Sequence, residues 1–413
     1  MRGLVTLTVD TGRELAEPSG RALQFVARLD DRQAPLEALV VGPEASRLLI
    51  YFPGFNTPLG PWEIAKCRML AASFDEPVLL TEIPGMSRFG DSLPSKVRKS
   101  MLRGEIEAWT ELMVDYQLAA LEAVGWPLPE RVDLIGYSTG CSLAVAALRR
   151  WQQLADVGSV TLIEPVATLS RNLLTLELHN LSDVLRQPAS FATNHAHDWV
   201  MRARRRQLRE PWVRYGPVDL VAIAQVLAQP HLPGDLPLDG SLAINLVRGE
   251  RSDLCRRETF QMLHEGAPDS GVTVEVTGLG HPLWHSFPVL DAVVPLLGRA
   301  VSRAAAGPSS RVRMPRRRSL PPSSRRPRVR PGRCRSSSPT SPSSCWAKIA
   351  TCRACWSRRH AMCWAQRWLC PAICGAFFRE PSAVSWKCAS AASTRAPGCF
   401  TPWDTSSSTP PAA

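Results

Sequence analysis

Val132-Asp133-Leu134-Ile135-Gly136-Tyr137-Ser138-Thr139-Gly140-Cys141 is the stretch on which the reading of this chain turns. A short apolar run ends in Gly-x-Ser-x-Gly, and small and apolar residues then continue through Leu143–Leu148. That order predicts a buried strand, a tight turn and a buried helix. Such a turn pushes a serine Oγ out above the edge of a sheet. Small residues on both sides let the backbone turn without clashes. Ser138 is therefore the candidate nucleophile.

Outward from this turn, short β-rich runs alternate with helical stretches, the pattern of an α/β fold with a mostly parallel sheet. Residues 4–9 and 22–29 read as an antiparallel lead-in. Arg47-Leu48-Leu49-Ile50-Tyr51-Phe52 is continuously apolar after its arginine, as expected of a strand buried on both faces. It stops at Pro53-Gly54. Pro61 opens a helix through Leu70, and proline suits a first helical turn. Residues 77–80 form the next strand, and residues 105–124 a long helix closed by Gly125. Residues 160–163 make a strand that ends at Glu164-Pro165. Residues 166–236 break the rhythm, looking helical without a convincing strand. The alternation returns with strand 242–247, a helix near 254–263, strand 272–276 and a last helix near 287–300, which Pro295 is expected to bend or shorten.

A serine hydroxyl is a weak nucleophile until a base takes its proton, and that base needs an orienting acid. Gly278-Leu279-Gly280-His281-Pro282 places a histidine just past a strand on a glycine-rich loop, so His281 is the expected base. His285 is the alternative, better suited to packing on the following helix. For the acid, Asp253 lies one short loop past strand 242–247, and Glu164 at the tip of the preceding strand is the alternative. The order Ser138…Asp253…His281 is that of the α/β hydrolases.

On the elbow, the acid loop and the histidine loop, residues 1–303 resemble an α/β-hydrolase-fold serine hydrolase. The resemblance implies a core of residues 1–165 and 237–305 and a helical cap of residues 166–236. It implies an oxyanion hole from the backbone N–H groups of Thr139 and of Phe55, in the loop after strand 47–52. Many relatives carry His-Gly in that loop, whereas this chain has Pro53-Gly54-Phe55-Asn56; proline donates no N–H, and the Gly54 and Phe55 amides remain. The implied activity is cleavage of a carboxylic ester or related acyl bond of a small molecule through an acyl-enzyme, with no cofactor and no metal. Thioesterase, peptidase and C–C hydrolase chemistry use the same parts. A catalytically idle fold serving as a binding module is the non-enzyme alternative.

His195-Ala196-His197-Asp198 is similar to a metal-binding H-x-H-x-D-H run, but Trp199 stands where the last histidine belongs, and a loop with two exposed histidines is the expected state. Arg202, Arg204, Arg205, Arg206 and Arg209 read as the solvated face of a helix.

Composition divides the 413 residues in two. Residues 306–413 hold nineteen of the 49 Lys+Arg, nine of the twelve cysteines and only Glu380 and Asp404 as acids. Residues 1–305 keep 30 basic and 35 acidic residues, so the overall charge of +12 is no guide to the body. The body offers no basic stripe for nucleic acid and no apolar run of the length that spans a bilayer. Its three cysteines and its strand-like N-terminus fit a cytoplasmic protein. The tail shows no sustained helical or strand period, and its Arg, Ser, Pro, Cys and Trp are what a GC-rich gene yields when read one base out of frame. A zinc module built on Cys352, Cys355, Cys370 and Cys374 and a disordered basic arm are the other readings.

Overall fold

The computed structural model describes residues 4–29, 35–90, 92–232, 236 and 242–305. The expectations for the tail and for its zinc module lie outside these residues.

Among the described residues, nine strands form one sheet: β1 (Leu4–Leu7), β2 (Ala22–Ala27), β3 (Leu36–Val41), β4 (Arg47–Phe52), β5 (Val78–Thr81), β6 (Arg131–Tyr137), β7 (Asp156–Ile163), β8 (Ala243–Gly249) and β9 (Thr273–Val276). Their order is β1-β9-β8-β7-β6-β4-β5-β3-β2. β3 runs antiparallel to both of its neighbours, β2 and β5. The other pairings are parallel. The expected antiparallel lead-in is corrected on one point. β1 does not pair with β2; it joins the opposite edge, parallel to β9, with Leu4 opposite Thr273. Alternation in residues 4–9 marks a strand but does not choose its partner.

The central strands are apolar throughout because both faces are covered. Side chains alternate along β4: Leu48, Ile50 and Phe52 enter one core with Trp109, Leu134 and Trp151, while Leu49 and Tyr51 enter the other with Ile135, Tyr137 and Trp284. Helices α1 (Pro61–Phe74) and α9 (Phe287–Ala305) cover the second face through Leu70, Phe74, Val293 and Leu297. On the first face lie α3 (Glu107–Ala123), α4 (Thr139–Leu154) and α8 (Arg257–Gly266), with α2 (Ser95–Leu102) beside α3. α9 continues through Pro295 to Ala305, so the proline does not end it. Between β7 and β8 stand α5 (Leu173–Ala192), α6 (Asp198–Gln207) and α7 (Pro217–Leu227), with no named strand among the described residues 166–236. Among the described residues, no helix is long and apolar enough to cross a membrane.

From β4 the chain moves outward to β5 and then returns to the other side of β4 as β6. Such a reversal opens a crevice at the carboxyl ends of the two strands, where open α/β sheets bind ligands. Gly140 sets the approach of α4 to β4 at this point. A Cβ built on it would lie 2.1 Å from the Phe52 carbonyl oxygen and 2.6 Å from that of Pro53. Alanine at an ordinary helical position is worth about 1 kcal/mol more than glycine. Here the sign reverses: Gly140→Ala is expected to lower the unfolding free energy by about 3 kcal/mol, measured from urea midpoints.

Glu82, just past β5, accepts the backbone N–H groups of Glu37 and Arg88, each at 2.9 Å. Burial nevertheless pushes its carboxyl up to about 7 from an ordinary 4.5. The native chain therefore holds this proton where the unfolded chain has released it. Unfolding free energy should fall as pH rises from about 4.5 to about 7, by up to about 3 kcal/mol from this group. Urea titrations at pH 5 and pH 8 should show a smaller difference for Glu82→Gln than for the unaltered chain.

Candidate active site

The turn between β6 and α4 forces Ser138 into a left-handed backbone, with φ 54° and ψ −119°. A non-glycine residue there carries about 1–3 kcal/mol of strain, held in place by packing on both sides. Gly136 makes the turn possible, since a Cβ on it would sit 2.5 Å from the Gly140 carbonyl oxygen. Ser138 N–H donates to the Ile163 carbonyl (2.9 Å), which ties the turn to the end of β7.

Ser138 Oγ and His281 Nε2 are 2.8 Å apart, and His281 Nδ1 and Glu164 Oε2 are 3.0 Å apart. Glu164 is fully buried at the tip of β7 with φ 55°. An ionised carboxylate only accepts, so Nδ1 carries the proton and Nε2 is left to accept from the serine hydroxyl. Two further donors hold the carboxylate: the Gly249 N–H on Oε1 and the Ser252 hydroxyl on Oε2, the latter at 2.6 Å. Ser252 Oγ in turn accepts the Cys255 N–H at 3.1 Å.

The histidine opens a five-residue 3₁₀ helix, His281–His285, directly after the glycine-rich loop. Tyr137 Oη donates to the His281 carbonyl (3.2 Å), and the two rings stack with centroids 5.7 Å apart. Trp284 Nε1 donates to Tyr51 Oη (3.1 Å), pinning the same turn to β4.

The structure thus brings together Ser138, His281 and Glu164, and it corrects the expectation for Asp253. The Asp253 side chain is 39% exposed and turned away from the imidazole, toward α5. Its Oδ2 accepts from Ser182 Oγ (2.6 Å) and pairs with Arg186 Nη1 (2.8 Å). Glu164, the alternative, fills the place at Nδ1. His285 stacks on Phe191 (5.3 Å) and meets Tyr137 edge-on (5.8 Å). Burial, reinforced by Lys66, His281 and Arg204, holds its pKa well below the ordinary value, so it is a neutral packing ring.

The loop after β4 lies against the elbow: a Cβ on Gly54 would sit 3.5 Å from the Ser138 Cβ and 2.8 Å from the Tyr137 ring. Asn56 takes a left-handed backbone at φ 56°, bending the loop just past Phe55. The Thr139 N–H is the first in α4 and has no partner within the helix.

Two expectations for residues 166–236 meet different outcomes. His197 is buried rather than exposed, while His195 is exposed. In the arginine run, Arg202, Arg205, Arg206 and Arg209 are exposed, and Arg204 lies over the Phe191 ring at 4.3 Å. Sequence reasoning also passed over Ser252, Asp183 and Arg186, none of which belongs to a motif.

No family model and no curated protein matches the chain. Among solved structures it is similar to a thermophilic esterase from Thermogutta terrifontis, at 16% identity over 67% of this chain and 99% of that one, with a TM-score of 0.45. It is also similar to an α/β hydrolase fold protein from Chitinophaga pinensis (10% identity, 71% and 99%, TM-score 0.46). A bromoperoxidase from Bacillus anthracis is a third (14%, 67% and 99%, TM-score 0.45). The mostly parallel sheet, its reversal at β4 and the strand–turn–helix elbow carrying Ser138 are themselves the α/β-hydrolase fold.

Proposed function

We propose that the protein is a serine hydrolase that cleaves a carboxylic ester or related acyl bond of a small molecule through an acyl-enzyme. The observation that carries this reading is the unbroken relay from Ser138 Oγ through His281 to a fully buried Glu164.

In this reading Ser138 Oγ attacks the carbonyl carbon while His281 Nε2 takes its proton. The carbonyl π electrons move to the oxygen, and the oxyanion is met by the Thr139 and Phe55 N–H groups. Collapse expels the alcohol, which receives the proton back from His281, and leaves the acyl group on Ser138. Water then repeats the sequence in the second half, with His281 again as base, and releases the acid. Glu164 keeps the proton on Nδ1 and stabilises the imidazolium formed in both halves.

Residues 166–236 act as a cap in this account. α5 packs on the 3₁₀ turn of His281, and Phe55 beside the elbow packs on Tyr215 with ring centroids 6.0 Å apart. Among the described residues the thiols of Cys67, Cys141 and Cys255 are free and buried, and a reducing, cytoplasmic setting is part of this reading.

Stopped-flow hydrolysis of short aryl esters tests the proposal. A burst of about one equivalent of phenol, followed by slower turnover, is the expected result. A folded protein that shows neither burst nor turnover across aryl esters, thioesters and amides would favour a binding role for the same fold.

A further inference from the structure

The residues between β8 and α8 have two sides. One side serves the carboxylate of Glu164, through the Gly249 N–H and the Ser252 hydroxyl. The other side is grasped by α5. Asp183 accepts the backbone N–H groups of Asp253 (3.2 Å) and Leu254 (2.9 Å). Arg186 Nη1 donates to the Arg251 carbonyl (2.6 Å) and, with Ser182, holds the Asp253 carboxylate. Arg251 N–H donates to the Leu279 carbonyl (2.8 Å), so the loop also touches the strand end that leads to the histidine. Asp183 is only 1% exposed and lies over Gly280, where a Cβ would come within 3.3 Å of its Oδ1. The far end of α5 reaches the same turn. Asn194 donates to the His285 carbonyl (2.8 Å) and accepts the Phe287 N–H (2.8 Å), while Thr193 Oγ1 donates to Ser286 Oγ (2.7 Å).

We propose that Asp183 is a positioning residue for the triad: from α5 it fixes the loop that holds Glu164 and sets a second buried carboxylate over Gly280, next in sequence to His281. This deepens the hydrolase reading and rests on it. Docking of α5 and readiness of the catalytic acid are then one event, because the backbone that Asp183 binds is continuous with the Ser252 hydroxyl on Glu164.

Titratable groups surround the imidazole. Glu164 meets it from β7, the Tyr137 ring stacks on it from β6, His285 lies in its own turn, and Asp183 on α5 stands over the adjoining Gly280. Around Asp183 stand Arg186 and Asp253, with Arg171 and His179 farther along α5 and its approach. Burial raises the Asp183 carboxyl, and the neighbouring His281 charge and the Leu254 N–H oppose that rise.

The test uses the full chain. In Asp183→Asn, kcat on an aryl ester should fall about 10–100-fold with KM within about threefold. The acid limb of the kcat/KM profile should move to lower pH, because a carboxylate over Gly280, next in sequence to His281, favours the protonated ring and its loss does not. Asp253→Asn, which removes the outer charge, should leave that limb in place. NMR titration of the His281 ring in Ser138→Ala and in the Ser138→Ala/Asp183→Asn pair reads the same shift without turnover. It therefore separates this inference from the hydrolase reading. An unmoved His281 titration in a folded Asp183→Asn protein would overturn the proposal, even if kcat fell.

Discussion

Glu164→Gln is expected to lower kcat on an activated aryl ester by about ten-thousand-fold, while Asp253→Asn lowers it by less than about tenfold. The carboxylate of Glu164 only accepts, and so it fixes the proton on His281 Nδ1 at 3.0 Å. A glutamine can turn its NH₂ toward Nδ1, which then accepts and moves the ring proton to Nε2. Nε2–H faces Ser138 Oγ with a donor where a base is needed. The cost is a wrong tautomer in an intact fold, and a near-unchanged urea midpoint would accompany it. Asp253 meets Ser182 and Arg186 at a partly exposed position, where a lost ion pair is worth little. The reverse result, a large loss from Asp253→Asn and a small one from Glu164→Gln, would return the acid to the loop after β8.

Ser138→Ala should remove turnover by about a million-fold, to the level left by substrate binding and oxyanion stabilisation alone. The same change should not weaken the fold. Ser138 sits at φ 54°, where any side chain bears strain, and its hydroxyl contributes one bond to His281. Alanine keeps the Cβ and drops only that bond, so ligand affinity should persist while chemistry stops. Equilibrium binding of a non-hydrolysable substrate analogue beside kcat measures the two separately.

Much of the fold was readable in the chain because the decisive features are local. The apolar runs 47–52 and 132–135, the Gly136–Gly140 turn and the Pro61 helix start each need only their own neighbours. Leu36–Val41, a fully buried strand interrupted in sequence by Glu37, was passed over because one charge masked its run. Glu37 is buried there by Arg88 (2.8 Å) and Gln24 (2.6 Å), partners that no local pattern shows. β1 was legible as a strand and illegible as a neighbour of β9, since pairing across 269 residues leaves no trace in alternation.

The site divides the same way. Ser138 and His281 follow from a strand, a turn and a glycine-rich loop. Which carboxylate faces the imidazole is set by two distant facts. Ser182 and Arg186, some seventy residues before Asp253, turn that side chain outward. Glu164 is one methylene longer than aspartate and stands on β7, the strand beside the elbow strand, with Gly249 and Ser252 ready to receive it. The available signal was its place at a strand tip just before Pro165.

A fluorophosphonate probe asks whether Ser138 is the nucleophile of a working triad, with the adduct mapped by peptide mass spectrometry. One adduct per chain is expected, on Ser138, lost in Ser138→Ala and slowed in Glu164→Gln. A folded chain that stays unlabelled, or one labelled at another residue while Ser138→Ala reacts at the same rate, would contradict it.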